Sequence, residues 1–308
     1  MLKALLSTHP LLLVECAVAE RLRRLPGVVL HPTLFNTPLI YGPVDARAAM
    51  EGIYLEYIAT AREAGLPILL AAPTWRLDAR RVAEAGAPVS INADAVEFLI
   101  DVRDRMSRSQ GDMPPILIGA LLGPWNDCYR PDLAPSAEDA AEFHFQQASE
   151  LGKTTADFLL AQTLPAVREA IGIARVMAAT EKSYLISFCT GTDGHVLDGT
   201  PLSEAMAEID ASVNRPPLGY FVNCTHPRFL LDAYAPGQLD RLVGIQANGS
   251  AKDVTMLDGS SVTVTDPLPS WTAAMRELHL KHQVPMLGGC CGTSLPHLRA
   301  LAGLECGE

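Results

Sequence analysis

The chain has 308 residues, of which 48% are hydrophobic and 19% charged. This composition provides a large core and excludes a disordered chain. The formal net charge of −11 argues against nucleic acid or an anionic membrane as the main partner, because both are bound by basic patches. No stretch approaches the ~20 apolar residues that span a bilayer. We expect no cleaved signal peptide, since His9 and Pro10 interrupt the N-terminal apolar run.

Short apolar segments with the length of strands alternate along the chain with segments of helical periodicity. The predicted strands are residues 11–14, 68–72, 116–121, 157–161, 184–188, 218–222, 242–246 and 285–287. The predicted helices are residues 44–64, 92–109, 136–153, 165–179, 202–213, 227–234, 270–282 and 295–304. Gly65 is predicted to end one helix, Asn92 and Ser136 to cap two others, and Pro165 to lie in the first turn of a fourth.

The strand segments are continuously apolar, which indicates burial on both faces, as in a parallel sheet. Eight such units in 308 residues predict a single (β/α)8 TIM barrel spanning residues 1–308, with an open doubly wound sheet as the competing fold. Unusual polar residues follow the strands: Glu15, Thr74, Trp125, Gln162, Cys189, Cys224, Asn248, Cys290 and Cys291. A barrel brings these strand ends to one rim, where active sites are built. The long segments 26–43 and 247–269 are predicted to cover that rim.

Seven cysteines in a long chain argue against a disulfide scaffold and favour a reducing cytoplasm with metal-binding thiols. Cys290 and Cys291 stand between glycines that permit a sharp turn, and Cys224 ends a strand two earlier. These three thiols predict a zinc site with one exchangeable position. A structural zinc site with Cys16 or Cys189 as the fourth ligand and a strained vicinal disulfide are the alternatives. Cys128 and Cys306 are expected to be small hydrophobic residues.

Residues 288–293, Gly-Gly-Cys-Cys-Gly-Thr, together with Val222, Asn223 and Cys224, resemble the signature of the zinc-dependent homocysteine S-methyltransferases. Weaker similarity extends over residues 122–124, 164–170, 198–202 and 297–301. The resemblance implies a (β/α)8 barrel in which Cys224, Cys290 and Cys291 hold Zn²⁺. The acceptor thiol, with homocysteine the first choice, takes the remaining zinc position and attacks the methyl group of a small sulfonium or quaternary ammonium donor, which gives methionine.

The substrate-binding candidates are Glu15, Thr74, Trp125, Gln162, Asn223 and Asn248, and no catalytic residue is predicted beyond the zinc site. An aromatic residue among Trp75, Trp125 and Tyr129 is expected to face the cationic donor. We expect small-molecule partners, no nucleic acid and no membrane, and a homo-oligomer is compatible with the sequence.

The sequence departs from the family pattern where the acceptor would bind. The family has Asp-Gly after the first strand and this chain has Glu15 and Cys16; the family has a glutamate after the fourth strand and this chain has Gln162. Asn248, Gly249 and Ser250 match the family's Asn-Ser-Gly turn only approximately. Two alternatives follow: the same zinc chemistry on another thiol or selenol, or a non-catalytic zinc-binding or thiol-binding barrel. A redox protein that uses Cys290 and Cys291 is a third.

Overall fold

The computed structural model describes residues 1–253 and 264–305, and its parallel strands close into an eight-stranded barrel. The strands are β1 (Leu12–Val14), β2 (Ile68–Ala72), β3 (Ile116–Leu122), β4 (Phe158–Leu164), β5 (Tyr184–Phe188), β6 (Gly219–Thr225), β7 (Leu242–Ala247) and β8 (Met286–Gly289). Each strand pairs with its successor, and β8 pairs with β1 through Leu12 and Met286. The predicted (β/α)8 barrel is therefore confirmed.

Helices connect the strands and cover the outside of the barrel. They are α1 (Leu2–Thr8), α2 (Ala19–Arg23), α3 (Val44–Ala64), α4 (Ala79–Glu84), α5 (Ile91–Gln110), α6 (Ala137–Gly152), α7 (Val167–Ala178), α8 (Leu202–Ser212), α9 (Pro227–Ala233), α10 (Leu268–His282) and α11 (Leu295–Leu301). No helix in these residues is long and apolar enough to cross a membrane. The cytoplasmic location stays a prediction, and Cys306 lies outside the described residues.

The helix ends test the capping predictions. Gly65 ends α3 in the left-handed conformation at φ 65°, and the Ser136 side chain accepts a hydrogen bond from the Asp139 N–H at the start of α6, as predicted. The prediction for Asn92 is wrong: α5 begins at Ile91, and the buried Asn92 amide donates instead to the Leu77 carbonyl at 3.0 Å. Pro165, which was predicted to lie in the first turn of a helix, instead precedes α7, because β4 continues to Leu164.

Five strands, β3, β4, β6, β7 and β8, extend past their predicted C-terminal ends, and two of them extend into polar residues. β4 includes Gln162 and Thr163, and β6 includes Asn223 and Cys224. The ladder shows a register shift in each of these stretches, and Thr163 and Cys224 have φ of 69° and 50°. Polar residues at the barrel end thus stay within the strands while their backbone is twisted out of regular strand geometry.

The barrel interior is filled at its N-terminal end and open at its C-terminal end. Phe158 and Phe221 lie in the interior cluster, where Gly119 and Gly244 leave room for their rings. A Cβ at position 244 would lie 2.2 Å from the Phe221 ring. Leu2 and Leu5 of α1, a helix that the sequence did not predict, belong to the same cluster. The packing therefore leaves the C-terminal rim as the end where a ligand can enter.

Candidate active site and metal centre

A cavity of about 710 Å³ opens at the C-terminal rim, a size typical of small-molecule sites. Strand ends and following loops from around the barrel line it. The predicted covering segment 26–43 contributes residues 34–37 to its wall. The second predicted covering segment, 247–269, lies partly outside the described residues, and Asn248 and Val264 from its two ends reach the cavity.

The Cys224 side chain lies in the cavity wall because β6 is distorted at this residue. The pairing of β6 with β7 shifts between Asn223 and Thr225, and Cys224 has a φ of 50°. A bulge of this kind redirects one side chain relative to its neighbours. A non-glycine residue in this region of φ is strained, and such strain concentrates at functional sites.

Cys290 and Cys291 lie in a tight turn that directly follows β8. The Cys290 N–H donates to the Ala247 carbonyl at 2.7 Å, and the Cys291 carbonyl accepts from the Gly249 N–H at 2.8 Å. Gly289 is required here, because a Cβ would lie 2.2 Å from the Thr293 hydroxyl. These contacts tie the turn to the end of β7 and fix the direction of both thiols.

The sulfur atoms of Cys224, Cys290 and Cys291 all lie within 4.8 Å of one another, and those of Cys224 and Cys290 are 3.0 Å apart. Tetrahedral zinc with Zn–S bonds of about 2.3 Å places its sulfur ligands about 3.8 Å apart. An upper limit of 4.8 Å for all three pairs is compatible with this value, so the three side chains fit one thiolate-preferring ion. They are the one His, Cys, Asp and Glu group within residues 1–253 and 264–305 that has this geometry.

The other two candidate ligands do not join this group in the described structure. Cys189 is fully buried beside Cys224, whose thiol it contacts. Cys16 lies beside Thr293 and Gly289. With three sulfurs in reach of one ion, the arrangement leaves a coordination position for a ligand from the cavity, as catalytic sites do.

The proximity of the thiols changes their acidity. Hydrogen bonds from Cys224 and Cys291 hold the pKa of Cys290 well below its ordinary value, while the hydrogen bonds with neighbouring thiols raise the pKa of Cys224. The three side chains therefore share negative charge at the cavity wall, where Cys224 is buried, Cys290 half-buried and Cys291 exposed. A bound cation would relieve this repulsion, because it favours the deprotonated form of every ligand.

Asn223 holds the metal-facing cysteine of β6 in place. Its side-chain oxygen accepts hydrogen bonds from the Thr163 N–H at 2.9 Å and the Ser187 hydroxyl at 2.6 Å. Its amide donates to the Thr163 hydroxyl at 2.8 Å and to the Cys224 sulfur at 3.4 Å. Asn223 is only 1% exposed, so it acts here on Cys224 and connects β4, β5 and β6 behind the site.

Asn223→Ala is expected to weaken zinc binding about 10- to 100-fold, the range seen when a residue that orients a metal ligand is removed. Competition with a chromophoric chelator measures the change. Ser187→Ala is the matched comparison, because it removes one bond to Asn223 and leaves the Cys224 contact intact, and its loss should be smaller. Zinc affinity in Asn223→Ala equal to that of the wild type would contradict this role.

Glu15, Gln162 and Asn248 also line the cavity. Glu15 is buried and its carboxylate accepts from the Ala71 N–H at 2.9 Å; burial raises its pKa to about 8. The Gln162 amide donates to the Gln246 side chain at 2.6 Å. The Asn248 side-chain oxygen is buried without a partner among the described residues, so it is available to a ligand donor.

Thr74 does not reach the cavity lining. Its hydroxyl donates to the Leu121 carbonyl at 2.8 Å and accepts from the Leu121 N–H at 2.7 Å. Both hydrogen-bonding capacities are thus used to join the end of β2 to β3. The structure gives Thr74 a bridging position, where the sequence predicted a substrate contact.

The three aromatic candidates differ in their surroundings. The Trp75 ring has the Arg76 guanidinium over it at 4.5 Å, and Trp125 stacks on Phe143 with ring centres 4.4 Å apart. Tyr129 lines the cavity, where the charge on Cys224 together with burial raises its pKa above the usual range. The phenol therefore remains protonated in the cavity wall.

Sequence reasoning missed Gln246, Thr163 and Arg76. Gln246 is the last residue of the predicted strand 242–246, and this C-terminal position was a usable signal that the candidate list left out. Thr163 belongs to the Asn223 hydrogen-bond network and lines the cavity. Arg76 lies one residue beyond Trp75, and its contacts are visible only in three dimensions.

Comparisons with known proteins agree with this arrangement. The family model of homocysteine S-methyltransferase matches residues 12–304. A relative from Bacillus subtilis, homocysteine S-methyltransferase YbgG, is 25% identical over 97% of this chain and 95% of its own. The Escherichia coli homocysteine S-methyltransferase is 24% identical over 97% of each chain. The metallated crystal structure of the Escherichia coli homocysteine methyltransferase MmuM shares the fold, with a TM-score of 0.75 at 22% identity, and the match covers 98% of this chain and 99% of that one.

Proposed function

The chain belongs to the homocysteine S-methyltransferase family and is a methyltransferase, and we propose that it methylates the thiol of homocysteine at a zinc site formed by Cys224, Cys290 and Cys291. The observation that carries the proposal is the convergence of three thiols within 4.8 Å at the cavity. The methyl group would come from a small sulfonium or quaternary ammonium donor.

The residues present fit the metal in number, donor type and spacing. When bound, zinc would accept the substrate sulfur as a further ligand and lower its pKa, so that the nucleophilic thiolate is present near neutral pH. Cys224, Cys290 and Cys291 would hold the ion, and Asn223 would keep Cys224 in its strained position through the contact at 3.4 Å.

The methyl transfer itself is an in-line displacement. A new bond forms between the acceptor sulfur and the methyl carbon while the bond from that carbon to the donor sulfur or nitrogen breaks, and the donor leaves as a neutral sulfide or amine. The chain's contribution is alignment, which can supply several kcal/mol of a two-substrate barrier. Tyr129 is the aromatic residue best placed to face the cationic methyl group.

Glu15, Gln162 and Asn248 are proposed to bind the amino acid end of the acceptor. The unpartnered Asn248 oxygen suits a ligand N–H, and an approaching ammonium group would favour ionised Glu15. The Gln162 side chain is hydrogen-bonded to Gln246. The contacts offered to the acceptor therefore differ from those of the family pattern, which has a carboxylate after both the first and the fourth strand. A different small thiol or selenol is the second candidate acceptor.

Mixing zinc-loaded protein with S-methylmethionine, S-adenosylmethionine or betaine and a panel of thiols tests this function. We expect methionine from homocysteine and at least one donor, detected by mass spectrometry. Turnover with a different thiol but not with homocysteine would indicate that the acceptor is the second candidate, a different small thiol or selenol. Tight zinc binding without turnover for every pair would indicate a non-catalytic barrel.

A further inference from the structure

Arg76 is a partly buried cation in the cavity wall that has no anionic partner among the described residues. No carboxylate oxygen in that part of the chain lies within 4.0 Å of its guanidinium. Its Nε is buried and makes no hydrogen bond there, and Nη1 reaches only the Asn126 carbonyl, at 3.4 Å. A buried charge without a partner is costly, so this side chain is held ready for a ligand.

Its neighbours are already paired. Arg81 forms an ion pair with Asp78, Arg24 pairs with Glu20 at 2.6 Å, and Arg80 lies 3.8 Å from Glu84. Burial and, after it, the proximity of Arg81 lower the pKa of Arg76, and the more distant charges of Cys128, Asp78 and Asp127 offset this only in part. Among these arginines, Arg76 is the one whose charge is left for a bound molecule.

Aromatic rings fix the orientation of the guanidinium. Arg76 lies over the Trp75 ring at 4.5 Å and over Phe35 at 5.7 Å. Trp75 is itself held, because its indole N–H donates to the Gln162 carbonyl at 3.0 Å. The guanidinium is planar, and its fork of N–H donors matches the two oxygens of a carboxylate.

The position of Arg76 relative to the thiols defines which part of a ligand it can reach. Arg76 follows β2, and Cys224 lies in β6; these strands are four apart in a closed barrel of eight. They therefore stand on opposite sides of the rim, and the cavity between them is lined by both residues. A ligand whose sulfur lies near the thiols would place a group at its other end near Arg76.

We propose that Arg76 is a specificity-determining residue that binds the carboxylate of a substrate across the cavity from Cys224, Cys290 and Cys291. Among the described residues that line the cavity, Arg76 is the half-buried guanidinium without an ion pair, whereas Arg23, which also lacks one, is exposed. One half-buried guanidinium suits a single negative charge, which favours a carboxylate over a phosphate group. This proposal rests on the proposed function, which identifies the two substrates as a thiol acceptor and a methyl donor. The carboxylate belongs to the methyl donor or to the thiol acceptor, and the experiment separates the two.

The test measures binding by calorimetry on zinc-loaded protein, so it does not depend on turnover. Two pairs of probes are used: S-methylmethionine with (3-aminopropyl)dimethylsulfonium, and homocysteine with 3-aminopropanethiol, the second member of each pair lacking only the carboxylate. For one pair we expect the carboxylate form to bind about 10- to 100-fold more tightly, the range for a hydrogen bond between charged groups. Arg76→Gln should abolish that preference and leave the Kd of the decarboxylated probe unchanged, and Arg76→Lys should retain part of it.

Arg80→Gln is the matched control, because it also removes one positive charge from the cavity wall. The Arg80 guanidinium differs from that of Arg76 in that it already lies near Glu84 and over the Phe143 ring. It should keep the full preference. The proposal is overturned if Arg76→Gln retains the wild-type preference in both pairs, or if wild-type protein shows no preference in either pair, including the case in which no probe binds. Failure of methyl transfer with the carboxylate preference intact would instead refute only the proposed function.

Discussion

Replacing Cys290 with alanine is expected to weaken zinc binding about 100- to 1,000-fold and to abolish methyl transfer. Apparent binding free energies of about 10–16 kcal/mol for four-ligand zinc sites correspond to about 3–4 kcal/mol for each ligand. Loss of one thiolate should therefore weaken zinc binding about 100- to 1,000-fold. Metal analysis of protein purified under reducing conditions, together with the methyl-transfer assay, measures both effects.

Cys128→Ala provides the control for this result. Cys128 is buried and lines the same cavity, but it is not one of the three thiols within 4.8 Å of one another. The variant should retain one zinc per chain. If Cys290→Ala bound zinc as tightly as the wild type, the three-thiol site would be wrong, whatever the activity.

Thiol titration of the wild-type protein separates zinc chemistry from redox chemistry. A protein that uses Cys290 and Cys291 as a disulfide would show fewer reactive thiols after chelation than one whose thiols were masked by metal. Titration of thiols with and without a chelator distinguishes the two cases. Recovery of the Cys224, Cys290 and Cys291 thiols on chelation supports the metal centre.

The second large effect concerns Glu15 and the pH dependence of stability. Glu15 is 8% exposed, and burial raises the pKa of its carboxyl group from the ordinary value of 4.5 to about 8. Between these two values the unfolded chain releases the proton while the folded chain keeps it. The folded state then binds more protons, so the free energy of unfolding falls as pH rises through this window.

Glu15→Gln should remove this dependence, because the amide keeps an oxygen that can accept from Ala71 and never ionises. Relative to wild type, the variant should gain about 2–5 kcal/mol of stability between pH 5 and pH 9, at about 1.4 kcal/mol for each unit of pKa shift. Urea unfolding of metal-free protein across this range measures the difference. Chelation is needed because a nearby cation would lower the pKa of Glu15.

Glu142→Gln serves as the comparison, since Glu142 is exposed on α6 and its charge lies in water in both states. Its stability relative to wild type should not change across the range. A difference between Glu15→Gln and wild type that is independent of pH would show that Glu15 is already ionised in the folded protein.

Much of the fold could be predicted from the sequence because its signals are local. Continuous apolar segments indicated buried parallel strands, and Gly65 and Ser136 marked helix ends through their own backbone and side-chain chemistry. The glycines around Cys290 and Cys291 predicted a sharp turn, and the structure has one there. Asn92 was wrongly predicted as a cap, because a polar residue at the start of a helix gives the same sequence signal when its side chain is hydrogen-bonded to a distant residue. Here the Asn92 amide donates to the Leu77 carbonyl.

The site was predicted as residues, but only the tertiary structure determined what each side chain faces. Cys224, Asn223 and Thr74 all stand at strand ends in the sequence. A bulge in β6 directs the Cys224 side chain to the cavity. The Asn223 side chain is hydrogen-bonded within a network that joins β4, β5 and β6, and the Thr74 hydroxyl is hydrogen-bonded to the backbone of Leu121. The unpaired state of Arg76 depends on which carboxylates other arginines have already bound. Such relations join residues distant in the chain, and no periodicity or spacing encodes them.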